Sequence, residues 1–156
     1  MRVFGNDKLG KFLKSPYKEI WEIGNATGLR ISDILKLKYK QLLTEKPTIK
    51  EQKTGKSKRI YIPKKTREKL LKTMKKEDEY IFKSEKSKTG HITRQAVFKA
   101  FKKAGEKAKT EYNIGTHTMR KNYALKMKKN HNLKYVQNKL NHDNLTETLL
   151  YLMKEE

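Results

Sequence analysis

Five residues along this chain have the types and spacing needed to bind and attack a phosphodiester. His117 and Arg120 lie three residues apart, His142 stands in the sequence LNH, and Tyr151 follows His142 by nine residues. Arg30 lies far upstream, in ATGLRISDILKL. Two arginines can bind non-bridging phosphate oxygens through planar, permanently charged guanidinium groups. A tyrosine hydroxyl has an ordinary pKa of about 10, so it attacks near neutral pH only beside a base or a cationic field.

The same chemistry assigns a task to each remaining group. Attack on phosphorus requires a proton acceptor for the nucleophile, charge compensation at the oxygens and a proton for the leaving oxygen. His117 is the candidate for proton transfer, and His142 is the candidate hydrogen-bond donor to the phosphate. A lysine on a hairpin could protonate the leaving oxygen. No metal is needed for this chemistry, because cations already surround the phosphate.

Each of these residues also has an ordinary structural explanation. Arg30 alone would be a surface arginine of a basic protein, and an HxxR pair on a helix is common. His142 alone would be a turn residue, and Tyr151 alone would be a core aromatic. The ordered set of arginine, lysine hairpin, HxxR, histidine and tyrosine is much less expected by chance than any member of it.

The elements that must position the first arginine and the lysines come early in the chain. Ser15 and Pro16 predict a helix start, with Ser15 as the N-cap, and Gly28 predicts its end. Ser32 is predicted to cap a second helix, so Arg30 lies at a helix junction, with Asp33 able to fix it or to complement the helix N-terminus. The runs TIKEQ and RIYIP predict two strands, joined by a lysine-rich turn with a single glycine in KTGKSK.

The second half of the chain is predicted to be helical. Pro63 opens a helix, residues 75–90 form a charged loop, and Thr93 caps a helix that Gly105 weakens at its end. A further helix carries His117 and Arg120 on one face. The remaining expected elements are a helix end at Asn130, a short helix with Val136 and Leu140, a turn at 141–144 and a last helix, 145–153, with Tyr151. The fold class is therefore α+β, mainly α, with a small antiparallel sheet.

Composition points to a polyanionic partner. The 156 residues fit one domain, and 39 Lys and Arg against 17 Asp and Glu give a net charge of +22. Nucleic acid or an anionic membrane surface would fit this charge, and so would a basic face that is only solvated. Because the excess is spread along the whole chain, we favour nucleic acid.

The chain has no cysteine, and its four histidines lack ligand spacing, so we expect no metal and no cofactor. It shows no membrane-length apolar run and no signal-peptide core, which predicts a cytoplasmic protein without a membrane partner.

Four segments together resemble the catalytic domain of the tyrosine recombinases, the phage-integrase family. They are TGLRISDILKL, EQKTGKSKRIYIP, HTMRKNYA and LNHDNLTETLLYL, and the resemblance runs roughly from Pro16 to Lys154. It implies a DNA strand transferase of bacterial, phage or mobile-element origin that forms a 3′-phosphotyrosine at Tyr151 and frees a 5′-hydroxyl. It also implies a site of Arg30, Lys53, His117, Arg120 and His142 around the phosphate, with Asp33 in support. Family members usually have glycine before the second histidine, and here this residue is Asn141, which tolerates a left-handed turn.

The residues and the resemblance together predict domains and partners. Residues 1–15 are expected to be a linker or tail and residues 16–156 a single catalytic domain, without the family's N-terminal core-binding domain. The partner is double-stranded DNA, on which full-length family members form tetramers; the isolated chain is expected to be monomeric. Candidate DNA contacts, including two further hairpin lysines that would touch phosphates non-specifically, are Lys56, Lys58, Arg59, Lys99, Lys102, Lys103 and Lys121.

Two other functions stay open at this point. One is a non-catalytic basic DNA-binding module, which the full set of candidate residues argues against. The other is DNA relaxation of the type IB topoisomerase kind, which uses the same tyrosine chemistry without pairing two duplexes. The target sequence and the choice among integration, excision and resolution do not follow from the sequence.

Overall fold

The computed structural model describes residues 6–111, 113–142, 147–148 and 152–153. Its helices in chain order are α1 (Asn6–Gly10), α2 (Tyr17–Thr27), α3 (Ile31–Leu35), a 3-10 helix (Tyr39–Leu43), α4 (Lys64–Leu71), α5 (Arg94–Ala108), α6 (Thr118–Asn130) and α7 (Leu133–Leu140). The strands are β1 (Thr48–Lys50) and β2 (Ser57–Arg59). The predicted mainly helical fold with a small antiparallel sheet is confirmed. Residues 147–148 and 152–153 are also helical, but most of the predicted last helix, including Tyr151, lies outside the described residues.

The two strands form an antiparallel hairpin that is shorter than predicted. Thr48 pairs with Arg59, Ile49 with Lys58, and Lys50 with Ser57. The chain leaves the regular ladder at Glu51, whose N–H still donates to the Lys56 carbonyl at 2.9 Å. This register places Ile49 and Lys58 on the inner face, because both are buried while their strand neighbours are exposed.

Helix α2 is the centre of the core. Ile20, Trp21 and Ile23 are almost completely buried, and the Trp21 ring meets the Phe101 ring of α5 edge-on at 5.3 Å. Helix α6 packs against α2 at Gly24, where a Cβ atom would lie only 2.2 Å from the Met119 sulfur. Only glycine permits this approach, and it brings α6, with Arg120, against α2.

The N-terminal segment differs from its prediction as a linker or tail. Within residues 6–13, α1 forms and the side chains of Leu9 and Leu13 are 0% and 7% exposed in the main core cluster. The two leucines are four residues apart, a spacing that suits one buried face. This part of the chain therefore belongs to the domain.

Some predicted helix boundaries are wrong and others are confirmed. Ser15 does not cap α2; its hydroxyl donates to the Glu19 carboxylate at 2.6 Å, and α2 begins after Pro16. Ser32 lies inside α3, with Arg30 at the N-cap position, so the predicted Ser32 cap is wrong. The Thr93 cap is confirmed, because its hydroxyl accepts from the Ala96 N–H at 3.1 Å. Gly105 does not weaken α5, which continues to Ala108.

Neither a membrane-spanning helix nor a metal-binding cluster occurs within the described ranges. Among these residues, no helix has both the length and the apolar character needed to cross a bilayer. No group of three or more histidine, aspartate or glutamate side chains in the same ranges is arranged to hold a metal ion.

Candidate active site

The turn between α2 and α3 carries Arg30. Gly28 ends α2 in the left-handed region at φ 67°, and a Cβ atom there would lie 2.3 Å from the Tyr123 ring of α6. Leu29 then enters the core with 0% exposure, and Arg30 follows with extended backbone. The predicted end of this helix at Gly28 is confirmed, and the glycine is needed both for its backbone angle and for the closeness of Tyr123.

Two cationic side chains bind the carbonyl groups of that turn. The Lys58 ammonium donates to the Thr27 carbonyl at 2.7 Å, and the Arg120 guanidinium donates through Nη1 to the Gly28 carbonyl, also at 2.7 Å. The last carbonyls of a helix lack intrahelical partners and carry the negative end of the helix dipole. The end of α2 is therefore held in place by hydrogen bonds from side chains of β2 and α6.

Arg120 also holds the turn before His142. Its Nη2 donates to the Leu140 carbonyl at 2.7 Å, and the side chain is 2% exposed. Leu140 ends α7, and Asn141 follows in the left-handed region at φ 55°. One guanidinium thus fixes the two turns that carry Arg30 and His142, although these lie more than a hundred residues apart in sequence.

His142 is buried near the two arginines. It is 7% exposed, and its Nδ1 lies 2.9 Å from the Thr148 hydroxyl. Burial first, and then the positive charges of Arg120 and Arg30, lower the pKa of His142 below its ordinary value, against a raising effect of Glu147. A neutral imidazole whose Nδ1 accepts the Thr148 hydroxyl hydrogen carries its proton on Nε2, where it can donate to a phosphate.

A buried carboxylate that the sequence interpretation missed joins three parts of this site. Glu51 is 0% exposed; its Oε2 accepts from Arg30 Nη1 at 2.5 Å, and its Oε1 accepts from the Asn141 side-chain amide at 2.9 Å. The available signal was a glutamate placed between a strand and a lysine turn in a chain of charge +22. Its partners lie 21 and 90 residues away, so the sequence does not reveal them.

Asp33 supports the hairpin rather than Arg30. It is 4% exposed, and its Oδ1 accepts from the Gln52 N–H at 3.0 Å, while Oδ2 has no hydrogen-bond partner within the described ranges. Burial is the main cause that raises the pKa of the Asp33 carboxyl above its ordinary value. The sequence allowed Asp33 to fix the arginine directly, but Glu51 takes that place.

Two of the other predicted catalytic residues lie in the described part of the chain, and both are exposed. Lys53 is exposed in the hairpin turn, and His117 is exposed at the residue before α6, one turn ahead of Arg120. Tyr151 lies outside the described residues. The structure thus brings together Arg30, Arg120 and His142, whereas the catalytic roles of all six residues stay predictions.

Five of the seven candidate DNA contacts lie on the surface and two do not. The exposed ones are Lys56, Arg59, Lys99, Lys102 and Lys103. Lys58 and Lys121 are 7% and 5% exposed, so their prediction as open surface cations is corrected. Lys58 faces inward because of the hairpin register, and its ammonium lies 5.0 Å from the centre of the Tyr123 ring.

The buried Lys58 leads to a prediction about stability and pH. Burial first, and then the charge of Arg120, lower the pKa of Lys58 from 10.5 to about 7. Between these values the unfolded chain binds a proton at this residue that the folded chain releases. The free energy of unfolding should therefore rise with pH in this window, by on the order of 1 kcal/mol per pH unit.

Urea unfolding at pH 7, 8, 9 and 10 tests this expectation. Lys58→Met should remove the rise, because the variant has no proton to lose at this residue. Lys65→Met, at an exposed residue of α4, is the matched control and should keep the pH dependence of the unchanged chain. An unfolding free energy of the unchanged chain that stays level or falls between pH 7 and 10 contradicts the prediction.

The chain is similar to known proteins in sequence and in fold. The sequence matches the profile of the phage integrase family over residues 6–156. A tyrosine recombinase of Thermosipho africanus (strain TCF52B) is 31% identical over 128 residues, covering 80% of this chain and 45% of that protein. The XerA recombinase structure is similar with a TM-score of 0.78 and 18% identity, covering 100% of this chain and 60% of that chain. A lambda integrase tetramer bound to a Holliday junction gives a TM-score of 0.75 at 19% identity, covering 97% of this chain and 48% of that chain.

The helical domain with a buried cationic cluster thus has the fold of tyrosine recombinase catalytic domains. The chain belongs to the phage integrase family. It spans about half the length of the relatives described above.

Proposed function

We propose that this chain is the catalytic domain of a site-specific DNA recombinase or integrase. The observation that carries the proposal is the joint fixing of Arg30, Arg120 and His142 by contacts among α2, α6, α7 and the hairpin. Negative charge grows on the oxygens of a phosphodiester during attack, and two arginines with a neutral histidine at one place can stabilise it. The proposed catalytic domain includes residues 6–15, of which Leu9 and Leu13 pack in the core, as well as residues 16–156.

The proposed reaction is a transesterification. The Tyr151 hydroxyl oxygen forms a bond to phosphorus while the bond from phosphorus to the 5′-oxygen breaks, leaving a 3′-phosphotyrosine and a 5′-hydroxyl. His117 accepts the tyrosine proton, and Lys53 gives a proton to the leaving oxygen. The positive charges of Arg30 and Arg120 stabilise the phosphate oxygens, and His142 donates a hydrogen bond to one of them. Attack by a 5′-hydroxyl reverses the step, so bond energy is conserved without a cofactor or a metal.

Double-stranded DNA is the proposed partner. The net charge of +22 and the exposed cations of the hairpin and α5 suit a phosphate backbone, which dominates affinity in most DNA complexes. The lambda integrase relative is a tetramer on a Holliday junction, and we propose a tetramer on DNA for the full-length protein. The isolated chain is proposed to be monomeric, and its place of action is proposed to be the cytoplasm.

Covalent trapping tests this function. The chain is incubated, with a chelator present, with a pool of nicked suicide duplexes of randomised core sequence, in which a cleaved strand end diffuses away. We expect a protein–DNA adduct that survives a denaturing gel, with the DNA on the peptide that contains Tyr151. Binding without any adduct would support a non-catalytic module instead. An adduct together with efficient, sequence-independent relaxation of a supercoiled plasmid would support a topoisomerase-like function.

A further inference from the structure

We propose that Glu51 is a positioning residue that sets Arg30 and the His142 turn for cleavage; this inference rests on the proposed function. Glu51 is the residue at which three segments of the site meet. It follows β1, it binds the guanidinium that follows α2, and it binds the side chain of Asn141 that follows α7. None of these segments is adjacent to another in sequence.

The burial of Glu51 explains why its contacts are specific. A carboxylate with 0% exposure is costly unless each oxygen is bound. Here Oε2 is bound by Arg30 and Oε1 by Asn141, so a shift of either partner leaves an unsatisfied buried oxygen. Arg30, whose side chain is 15% exposed, is thereby held at one orientation before any phosphate arrives.

The hairpin holds Asn141 a second time. The Lys56 ammonium donates to the Asn141 carbonyl at 3.3 Å, while the Asn141 side chain binds Glu51. The Glu51 carbonyl also accepts from the Gly55 N–H at 2.9 Å, which closes the turn that carries Lys53. Movement of the hairpin turn is therefore coupled to the residue immediately before His142.

This geometry gives Asn141 a role beyond tolerance of its backbone angle. At φ 55° a glycine would suit the backbone at least as well, but it would provide no side-chain amide for Glu51. The asparagine and the glutamate thus act as a pair. The pair aligns the arginine and histidine turns and makes no contact with the reacting atoms itself.

Single-turnover cleavage of a duplex recovered from the randomised pool tests the pair. Glu51→Gln keeps the size of the side chain but removes the charge that holds Arg30, so cleavage should slow by about 10–100-fold, as expected for misplaced reacting groups. Asn141→Gly should also slow cleavage, by about 3–10-fold, since Glu51 loses one of its two side-chain partners. DNA affinity, measured with Tyr151→Phe as the background, should change less than about twofold.

A second substrate separates positioning from a merely structural effect. In a duplex with a neutral methylphosphonate at the scissile position, less charge develops and the orientation of Arg30 matters less. On this substrate the cleavage rate of Glu51→Gln should be within about threefold of the rate of the unchanged chain. A variant that is slow only because it is partly unfolded would be equally slow on both substrates.

Glu19→Gln is the matched control. Glu19 is also buried, at 2% exposure, and is paired with Lys69 at the first turn of α2, away from the cationic cluster. The cleavage rate of Glu19→Gln should be within about twofold of the rate of the unchanged chain. Equal cleavage rates for Glu51→Gln and Glu19→Gln, or a Glu51→Gln difference that is the same on both substrates, would overturn the role of Glu51. If the unchanged chain forms no adduct at all, the proposed function itself fails, and the inference fails with it.

Discussion

Tyr151→Phe is expected to abolish the covalent protein–DNA adduct while leaving DNA binding almost unchanged. The substitution removes the one oxygen atom that attacks phosphorus in the proposed reaction. Cleavage should fall on the order of 10⁴-fold or more, to the background of the assay. The dissociation constant should change less than about twofold, because affinity depends mainly on phosphate contacts by cations. A denaturing gel measures the first quantity and a filter or mobility assay the second.

Tyr61→Phe is the control for this experiment. Tyr61 follows β2 and is 45% exposed, so the same atom is lost at a residue with no assigned role in cleavage. Its adduct should form at the rate of the unchanged chain. If the adduct still forms with Tyr151→Phe and is lost when another tyrosine is replaced, that other tyrosine is the nucleophile.

Arg120→Lys is expected to lower both cleavage and stability. A lysine ammonium has no planar fork and cannot bind the carbonyls of Gly28 and Leu140 in the way that the two Nη atoms do. At least one buried carbonyl loses its donor, which should lower the free energy of unfolding by about 1–3 kcal/mol. Cleavage should slow by about 10²–10³-fold. The phosphate loses a well-placed donor, and the turns that carry Arg30 and His142 lose the guanidinium group that fixes them.

The two losses can be separated by experiment. Unfolding in urea gives the stability change, and single-turnover cleavage well below the unfolding midpoint gives the catalytic change for the folded fraction. Arg94→Lys, at an exposed residue that begins α5, should change the unfolding free energy by less than about 0.5 kcal/mol and leave cleavage intact. A stable, fully active Arg120→Lys would show that the buried guanidinium is dispensable.

Local signals in the sequence predicted some parts of this structure well. Gly28 and the Thr93 cap gave correct helix boundaries, because backbone angle and capping depend on neighbouring residues. The N-terminal helix was missed because Leu9 and Leu13 form a short pattern that is stable only when packed on the core.

Parts of the site that depend on distant contacts could not be predicted in this way. The inward direction of Lys58 follows from pairing with Ile49, and a shift of one residue in register would turn it to solvent. Glu51 receives its partners only when the hairpin, the α2 end and the α7 end meet. Residue types led to a prediction of the groups that act on phosphate, whereas the contacts that orient those groups are visible only in the folded chain.

The edge-on pair of Trp21 and Phe101 has a practical consequence for all of these measurements. Trp21 is the only tryptophan of the chain and is 2% exposed, so its fluorescence emission should be blue-shifted in the folded chain and move to longer wavelength on unfolding. It lies seven residues before Gly28, about 10 Å along the helix axis. Substitutions in the cationic cluster therefore leave the fluorophore itself in place. The chain has a built-in optical probe of its core, and every variant can be checked for folding without a label.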